Sequence, residues 1–249
     1  MKKYLATAAL AASIATGAQA ELLGFGAGAG IWSADPSGKA EYKGSEFDLS
    51  SDAGLSSENS TYLWAYLNHP IPAIPNVRIE RTGLSFDGKA KQPITFGGVS
   101  FGSVDTATTM DLTQTDVLLY WGVPFLPLLS VDFGFGAKLF DGELAMSTAG
   151  QSEKTDLDFA LPVGYLALGL PIPGTGVRVG ADTKMISYSG SGFSDSRLSV
   201  SWVPVSLVVD LAIEAGYRTQ KLKIDDLSGV DAEADITMSG LFMGAALRF

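Results

Sequence analysis

Two features of the sequence have residue types suited to nucleophilic catalysis. The segment Gly98-Val-Ser100-Phe-Gly102 has the Gly-x-Ser-x-Gly spacing of a nucleophile elbow, in which a sharp strand-to-helix turn presents the serine hydroxyl. Such a serine needs a neighbouring base, and His69 is the only histidine in the chain. Ser100 lies in a β-rich loop region and His69 adjoins Pro70 in a proline-rich turn, so neither has the required setting. We therefore predict no catalytic residue and interpret His69 as a turn or interface residue.

The remaining motifs do not indicate a cofactor or a metal ion. The chain has no cysteine, which excludes disulfide bonds and thiolate ligands, and one histidine leaves mainly carboxylates as metal ligands. Glycine at every second position from Gly24 to Gly30 clears space on one face of a strand, whereas a phosphate-binding loop needs a glycine turn that opens a helix. The acidic segment 225–235 departs from the EF-hand spacing and is interpreted as a solvated loop. We predict no cofactor and no metal site.

Proline clusters divide the chain into segments. Four clusters, at residues 69–75, 123–127, 170–173 and 203–204, hold eight of the eleven prolines. Because proline cannot donate a hydrogen bond to a β-ladder, each cluster predicts a tight connection between strands. The other connections are long, polar and rich in Gly, Ser and Asp. Short turns at one end and long loops at the other are typical of a transmembrane β-barrel.

Alternating apolar and polar residues between these turns predict about ten strands, with eight or twelve as the alternatives. In one of the clearest, Val131, Phe133 and Phe135 share a face, because the side chains of a strand alternate with period two. Arg81 falls on the apolar face of its strand and Pro162 interrupts another, which a β-bulge would repair. An even number of strands places both chain ends and all four proline turns at one end. The predicted strands lie near residues 22–32, 60–69, 77–86, 109–121, 130–140, 156–168, 176–188, 196–203, 207–222 and 235–249.

The distribution of apolar residues indicates a protein that crosses lipid with strands. Mean hydropathy is +0.21, yet after residue 20 no segment approaches the roughly 18 uninterrupted apolar residues of a spanning helix. Lipid-facing residues at every second position of a strand produce this combination. A soluble β-sandwich or a lipocalin-like barrel is the alternative, since both show the same alternation. Predicted strand lengths near the ~9–11 residues that cross lipid favour the membrane.

The N-terminal segment has the three parts of a secretory signal peptide. Lys2 and Lys3 form the positive region, residues 4–18 the apolar region, and Ala18-Gln19-Ala20 the cleavage site. We therefore predict cleavage of residues 1–20 and a single barrel domain over residues 21–249. Loss of two lysines changes the net charge from −10 to −12. This acidic balance argues against nucleic acid as a partner.

The C-terminal strand supports the same class of protein. Leu241, Met243, Ala245, Leu247 and Phe249 share one face, and the spacing Gly244-x-x-Leu247-x-Phe249 resembles the C-terminal insertion signal of bacterial outer-membrane barrels. With the glycine-rich first strand and the late Gly216-Tyr217-Arg218, the chain resembles the small outer-membrane β-barrel proteins of Gram-negative bacteria, in particular an uncharacterised family of roughly ten-stranded barrels. The resemblance implies export through the Sec route, insertion by the barrel-assembly machinery, and contact with outer-membrane lipids and lipopolysaccharide. It implies no catalytic residues.

The polar faces of the predicted strands place charged residues inside the barrel. Buried charges must be paired or hydrated, and a barrel of eight to ten strands has a narrow lumen. Equal numbers of the two signs favour a plug of ion pairs, with a narrow water-filled pore as the alternative. The predicted lumen charges are the basic residues Arg78, Lys138, Arg178, Lys184, Arg218 and Arg248, and the acidic residues Glu80, Asp116, Asp132, Asp182, Asp210 and Glu214.

These features predict a location and an architecture rather than a reaction. We expect a non-enzymatic outer-membrane barrel with a structural or interaction role in the envelope. A narrow passive pore for small solutes is the first alternative, and a lipid-modifying outer-membrane enzyme is the second. The sequence specifies no solute and no oligomeric state.

Overall fold

The computed structural model describes residues 23–124, 126, 128–188, 190–206, 209–225 and 232–249. The predicted signal peptide and the centre of the acidic segment, residues 226–231, lie outside the described residues. The described strands are, in chain order, β1 (Gly24–Glu41), β2 (Phe47–Asp48), β3 (Glu58–Asn68), β4 (Asn76–Gly83), β5 (Ser85–Lys89), β6 (Ile94–Phe96), β7 (Val99–Phe101), β8 (Ala107–Gly122), β9 (Ser130–Thr148), β10 (Gln151–Asp156), β11 (Phe159–Ile172), β12 (Val177–Tyr188), β13 (Ser191–Ser206), β14 (Asp210–Ile224) and β15 (Glu233–Arg248).

Ten of these strands form a closed antiparallel barrel, which confirms the predicted fold. Going round the barrel, β1 is followed by β3, β4, β8, β9, β11, β12, β13, β14 and β15, each paired with the next along the chain. The ring closes where β1 pairs with β15, from Gly26 opposite Arg248 to Glu41 opposite Glu233. The short strands β2, β5 and β10 pair with β1, β8 and β9, and β6 and β7 form a separate hairpin. Within the described part of the chain, no helix is long and apolar enough to cross a membrane.

The connections differ between the two ends of the barrel as the proline clusters predict. At the end called here the turn end, short connections join β3 to β4 and β11 to β12; at the opposite loop end, longer segments join β1 to β3 and β4 to β8. Two proline clusters lie wholly or mostly within strands rather than in turns: Leu170, Pro171 and Ile172 belong to β11, and Val203 and Pro204 belong to β13. The pairing of β13 with β14 shifts register between Trp202 and Val205. Pro204 is accommodated there because it has no N–H to donate to the ladder.

The outer surface of the barrel changes character part of the way along each strand. On β14, Leu211, Ile213 and Tyr217 point outward near the turn end and are about half exposed, whereas Lys221 and Lys223 point outward near the loop end. The other barrel strands show the same change. An apolar belt therefore surrounds the turn-end half, as a barrel embedded in lipid requires. A soluble barrel would instead turn this apolar face inward.

The two irregular positions of the sequence fit regular strands. Arg81 points outward at the edge of the apolar belt, and its guanidinium donates to Thr115 Oγ1 at 3.1 Å. Pro162 also points outward and lies opposite Ala137. The pairings on either side of both residues run without a register shift. The predicted β-bulges are therefore wrong at these two positions.

The glycine row of β1 leaves room for aromatic rings inside the barrel. Gly28 and Gly30 lie directly opposite Trp64 and Tyr62 of β3. A Cβ atom placed on Gly28 would lie 2.6 Å from the Trp64 ring, closer than any real Cβ contact. The absence of side chains on one strand thus positions the aromatic side chains of its neighbour.

Replacing Gly28 by valine is expected to lower the yield of folded barrel after refolding in detergent, since the new side chain would collide with Trp64. Gly164→Val is the matched control, because Gly164 lies on the outward face of β11 and its Cβ position has no atom nearer than 3.7 Å. The folded fraction is measured by the difference in gel migration between boiled and unboiled samples. Equal yields for the two variants would contradict the packing argument.

Candidate functional site

The loop-end half of the barrel has an apolar interior. Trp32 lies at the midpoint of its strand, Met110 and Phe140 lie on the loop-end side of the midpoint of theirs, and all three are at most 4 % exposed. Loop residues complete this core, and Leu49 and Phe96 are fully buried. Side chains therefore fill the lumen at this end. Other members of the core are Phe47, Leu55, Phe86, Phe101, Leu112, Leu144, Met146, Phe193, Leu222, Ile236 and Met238.

Beneath this core lies a layer of buried ion pairs, called here the ionic layer. It consists of Glu80, Asp116, Asp195, Lys138, Lys184 and Arg218, whose side chains are at most 2 % exposed. Arg218 donates from Nε and NH2 to the two oxygens of Asp195 at 2.9 and 2.7 Å. Lys138 Nζ lies 2.7 Å from Asp116 Oδ1, and Lys184 contacts both Asp116 and Glu80. Each buried charge thus has an opposite charge beside it, as burial requires.

Two glutamines connect opposite walls of the barrel within this layer. Gln114 lies on β8 and Gln220 on β14, which are five strands apart in a ring of ten. Each amide nitrogen donates to the other amide oxygen, at 2.9 and 3.0 Å. Lys138 donates to the Gln114 oxygen and Gln220 donates to Asp195. The ionic layer therefore reaches across the full width of the lumen.

The three carboxylates of the ionic layer have the spacing of a metal site but a different environment. One oxygen from each of Glu80, Asp116 and Asp195 lies within 4.8 Å of the others. Lys184 contacts all three, while Arg218 and Lys138 each contact two of them. The cluster is neutralised by side chains, so a divalent cation would have to displace several ammonium and guanidinium groups.

A second group of charges separates the ionic layer from the turn end. Arg197 Nε lies 3.0 Å from Asp182 Oδ2 and Arg197 NH1 lies 3.3 Å from Glu80. Arg78 also contacts Glu80 at 3.3 Å, and its guanidinium lies 4.8 Å from the centre of the Trp64 ring. Together these residues form the floor of a cavity.

This cavity, called here the vestibule, occupies the turn-end half of the barrel. Its volume is about 540 Å³, which lies within the usual range of small-molecule sites. Aromatic and charged side chains line it together. Glu214 on its wall accepts hydrogen bonds from Tyr62 Oη at 3.0 Å and Trp64 Nε1 at 3.3 Å. The main lining residues are Trp64, Tyr66, Arg78, Tyr120, Asp132, Tyr165, Arg178, Asp182, Arg197, Asp210, Glu214, Phe242 and Arg248.

The structure places all twelve predicted lumen charges on the inward face. Five lie in the ionic layer (Glu80, Asp116, Lys138, Lys184, Arg218), two on the vestibule floor (Arg78, Asp182), and five on the vestibule wall (Asp132, Arg178, Asp210, Glu214, Arg248).

Sequence reasoning missed two interior charges, Asp195 and Arg197. The predicted strand began at residue 196, whereas β13 begins at Ser191. Serine and glycine around residue 192 favoured a loop, although Phe193, Asp195 and Arg197 do alternate with period two. One of the two missed residues, Asp195, is a main partner of Arg218, which also contacts Glu80.

His69 and Ser100 lie at opposite ends of the barrel. The backbone N–H of Ile71 donates to His69 Nδ1 at 3.2 Å, and His69 Nε2 lies 3.0 Å from the Pro75 carbonyl oxygen. Both ring nitrogens therefore hold the turn between β3 and β4. Ser100 lies on the β6–β7 hairpin at the loop end, where its hydroxyl is 3.3 Å from Thr95 Oγ1. The two residues cannot form a nucleophile–base pair in this arrangement.

The residues of the predicted insertion signal close the barrel beside β1. Leu247 and Phe249 point outward, and Gly244 lies inward against Tyr62. The backbone N–H of Phe249 donates to the Phe25 carbonyl at 2.8 Å, and the two rings are 5.8 Å apart. The role of these residues in insertion stays a prediction.

Comparisons with known proteins find similarity only among solved structures. No family model matches the chain, and no curated protein matches it. Among solved structures it is similar to the outer membrane protease OmpT of Escherichia coli, with 10% identity, a TM-score of 0.48, and coverage of 91% of this chain and 96% of that one. The translocator domain of the autotransporter NalP from Neisseria meningitidis gives 12% identity, a TM-score of 0.44, and coverage of 100% and 98%. The attachment invasion locus protein Ail of Yersinia pestis gives 11%, 0.36, and 91% and 99%.

With its closed ring of strands and its apolar belt, the molecule has the architecture of a small outer-membrane β-barrel protein. At about one identical residue in ten, none of the activities of the similar proteins is carried over to this chain.

Proposed function

We propose that this protein is a closed, non-enzymatic barrel of the outer membrane with a structural or interaction role in the cell envelope. The observation that carries the proposal is the filled lumen: an apolar belt surrounds the barrel outside, while the ionic layer and the apolar core close it inside. The segment 1–20 would direct export through the Sec route, and the barrel-assembly machinery would insert the chain among outer-membrane lipids and lipopolysaccharide.

The filled lumen favours this role over the passive pore. An ion crossing the barrel would have to separate Gln114 from Gln220 and open the ion pairs around Asp195. Exposing or breaking such buried pairs is costly, because an uncompensated buried charge results. The ion would then meet the apolar core.

The separation of His69 and Ser100 favours a non-enzymatic role over lipid modification. A serine nucleophile requires a base within hydrogen-bonding reach, and both nitrogens of His69 already hold a turn. The loop-end half, in contrast, extends beyond the apolar belt and presents charged side chains such as Asp35, Lys39 and Lys223 to solvent. This projecting surface suits contact with other envelope components.

Purified protein is expected to resist unfolding in detergent and to remain closed in a planar lipid bilayer. Unboiled and boiled samples should migrate differently on a gel, because a closed barrel has no free edge from which to unravel. The double variant Gln114→Ala/Gln220→Ala, which removes the bridge without changing charge, should conduct in small steps more often. Thr113→Ala/Thr219→Ala, which alters outward neighbours on the same strands, is its control. Steady conductance from the unmodified protein would overturn the closed barrel and favour the pore.

A further inference from the structure

The four connections at the turn end, together with the residues that flank them, carry no charge. The segments 69–75, 123–129, 171–177 and 203–209 contain no Asp, Glu, Lys or Arg, whereas the loop-end segment 42–57 contains four charged residues. Several apolar side chains of these connections are open to the surroundings. Ile71, Ile74, Leu126 and Leu128 are between 41 % and 56 % exposed. An exposed apolar surface of this kind marks a contact with lipid or with another protein.

This apolar surface extends round the whole ring of strands. The connections follow β3, β8, β11 and β13, so they occur at every second gap between neighbouring barrel strands. The remaining gap at the turn end, between β15 and β1, is bordered by Phe249 and Leu23, which are 53 % and 68 % exposed. A docking site for one protein would occupy one side of the barrel, whereas a complete ring fits a flat lipid surface.

The apolar belt on the strands falls short of the height of a hydrocarbon layer. The outward apolar residues of the last strand run from Leu241 to Phe249, and the next outward residue toward the loop end is Ser239. Eight residues of a strand tilted by roughly 40° rise about 21 Å, whereas the apolar band of a transmembrane barrel is about 25 Å tall. Because the belt is followed by polar residues on the loop-end side, the missing height must come from the turns.

The backbone of the first turn suits a place where water is scarce. The three prolines of segment 69–75 have no N–H group. The N–H of His69 donates to Asn76 Oδ1 at 2.9 Å. The N–H of Ile71 donates to His69 Nδ1, and that of Ile74 donates to the Ile71 carbonyl, both at 3.2 Å. Six of the seven residues therefore either lack an N–H or have it bonded, which is the condition that lipid imposes on a backbone.

We propose that the turns are seated in the periplasmic leaflet of the outer membrane, where they contact lipid at the border between acyl chains and headgroups. This inference rests on the proposed outer-membrane location and adds that the turn end does not project into the periplasm. The lack of charge removes the main cost of leaving water, and the ring of apolar turns continues the apolar belt downward without a polar interruption. The mouth of the vestibule then lies level with the lipid headgroups.

Nitroxide labels on single cysteines test this placement, and the chain has no cysteine to remove first. The folded barrel is reconstituted in vesicles of pure dioleoylphosphatidylcholine, which contain no protein partner. The accessibility of each label to oxygen and to a water-soluble nickel chelate is then measured. Labels at Ile71→Cys and Leu128→Cys should have an oxygen-to-nickel ratio close to that of Leu241→Cys in the belt. This ratio should be several-fold higher than that of Asn59→Cys, an exposed position near the loop end of β3.

Each labelled variant is first shown to keep heat-dependent migration, so that a misfolded barrel is not scored. Ile74→Cys, on the same surface, replaces a turn variant that fails this check. If the turn labels have the nickel accessibility of Asn59→Cys, the turns lie in water and the proposal is wrong; their apolar surface would then indicate a protein partner. That result leaves the closed barrel untouched. Equal nickel accessibility of Leu241→Cys and Asn59→Cys would instead overturn the membrane location itself.

Discussion

Replacing Arg218 by alanine is expected to lower the free energy of unfolding by about 3–5 kcal/mol, the range found when one partner of a buried ion pair is removed. Arg218 is 1 % exposed. It donates twice to Asp195, contacts Glu80 at 3.1 Å, and donates to Thr82 Oγ1 at 3.1 Å. The variant would leave two carboxylates with one cation fewer in a place that water reaches poorly. Its melting temperature, followed by heat-dependent gel migration, should fall well below that of the native barrel.

Two further variants separate this charge effect from a general loss of a long side chain. Arg81→Ala removes an outward, exposed arginine that makes one hydrogen bond, and a surface change of this kind costs about 0.5 kcal/mol or less. The double variant Arg218→Ala/Asp195→Ala removes both partners and should recover part of the lost free energy of unfolding, since the effects of substituting two residues in contact do not add. If the Arg218→Ala variant had the same melting temperature as the Arg81→Ala variant, the ionic layer would not stabilise the barrel.

The second large effect is expected at Phe249. Phe249→Ser should reduce the amount of assembled protein in the outer membrane, because it removes the aromatic ring that packs on Phe25 where β15 meets β1. The ring is also 53% exposed on the outer face, and it belongs to the spacing that resembles an insertion signal. Assembled protein is measured in outer-membrane fractions as the heat-dependent gel species.

Phe133→Ser is the matched control, because Phe133 is an outward aromatic residue of similar exposure, 51%, within β9. It tests loss of lipid contact without touching the closure of the barrel. His69→Ala should have a smaller effect than Phe249→Ser, since it loses only the hydrogen bonds of one turn. If the Phe249→Ser variant assembled to native levels, the C-terminal aromatic residue would not be required for assembly.

The alternation of side chains predicted the barrel and the inward direction of its charges because period two is a local property of each strand. The prediction of where strands end was wrong where the strands extend beyond the apolar belt. Residues 33–41 and 141–148 were assigned to loops, yet they continue β1 and β9. There the outward residues become polar, as with Asp35 and Asp141, and the strand takes on the composition of a loop. The start of β13 was missed for the same reason, and Asp195 with it.

Partner choice inside the lumen could not be predicted from the sequence. Gln114 and Gln220 are 106 residues apart, and each lies on a strand whose neighbours give no indication of what lies opposite. Which strands face each other depends on the number of strands and their stagger around the ring. A strand count of eight or twelve would have placed different residues across the lumen. The ionic layer is thus a property of the closed ring rather than of any one strand.

The change of outward residues from apolar to polar along each strand also fixes how deeply the molecule sits. If the bilayer lay closer to the loop end, side chains such as Lys221 would enter hydrocarbon. If it lay closer to the turn end, Leu241 and Met243 would be exposed to water. Each two-residue step along a strand is about 6–7 Å, so displacements of this size are opposed all round the ring at once. The outward residues of all ten strands therefore fix the position of the barrel along the bilayer normal together, without depending on a single contact to a lipid headgroup.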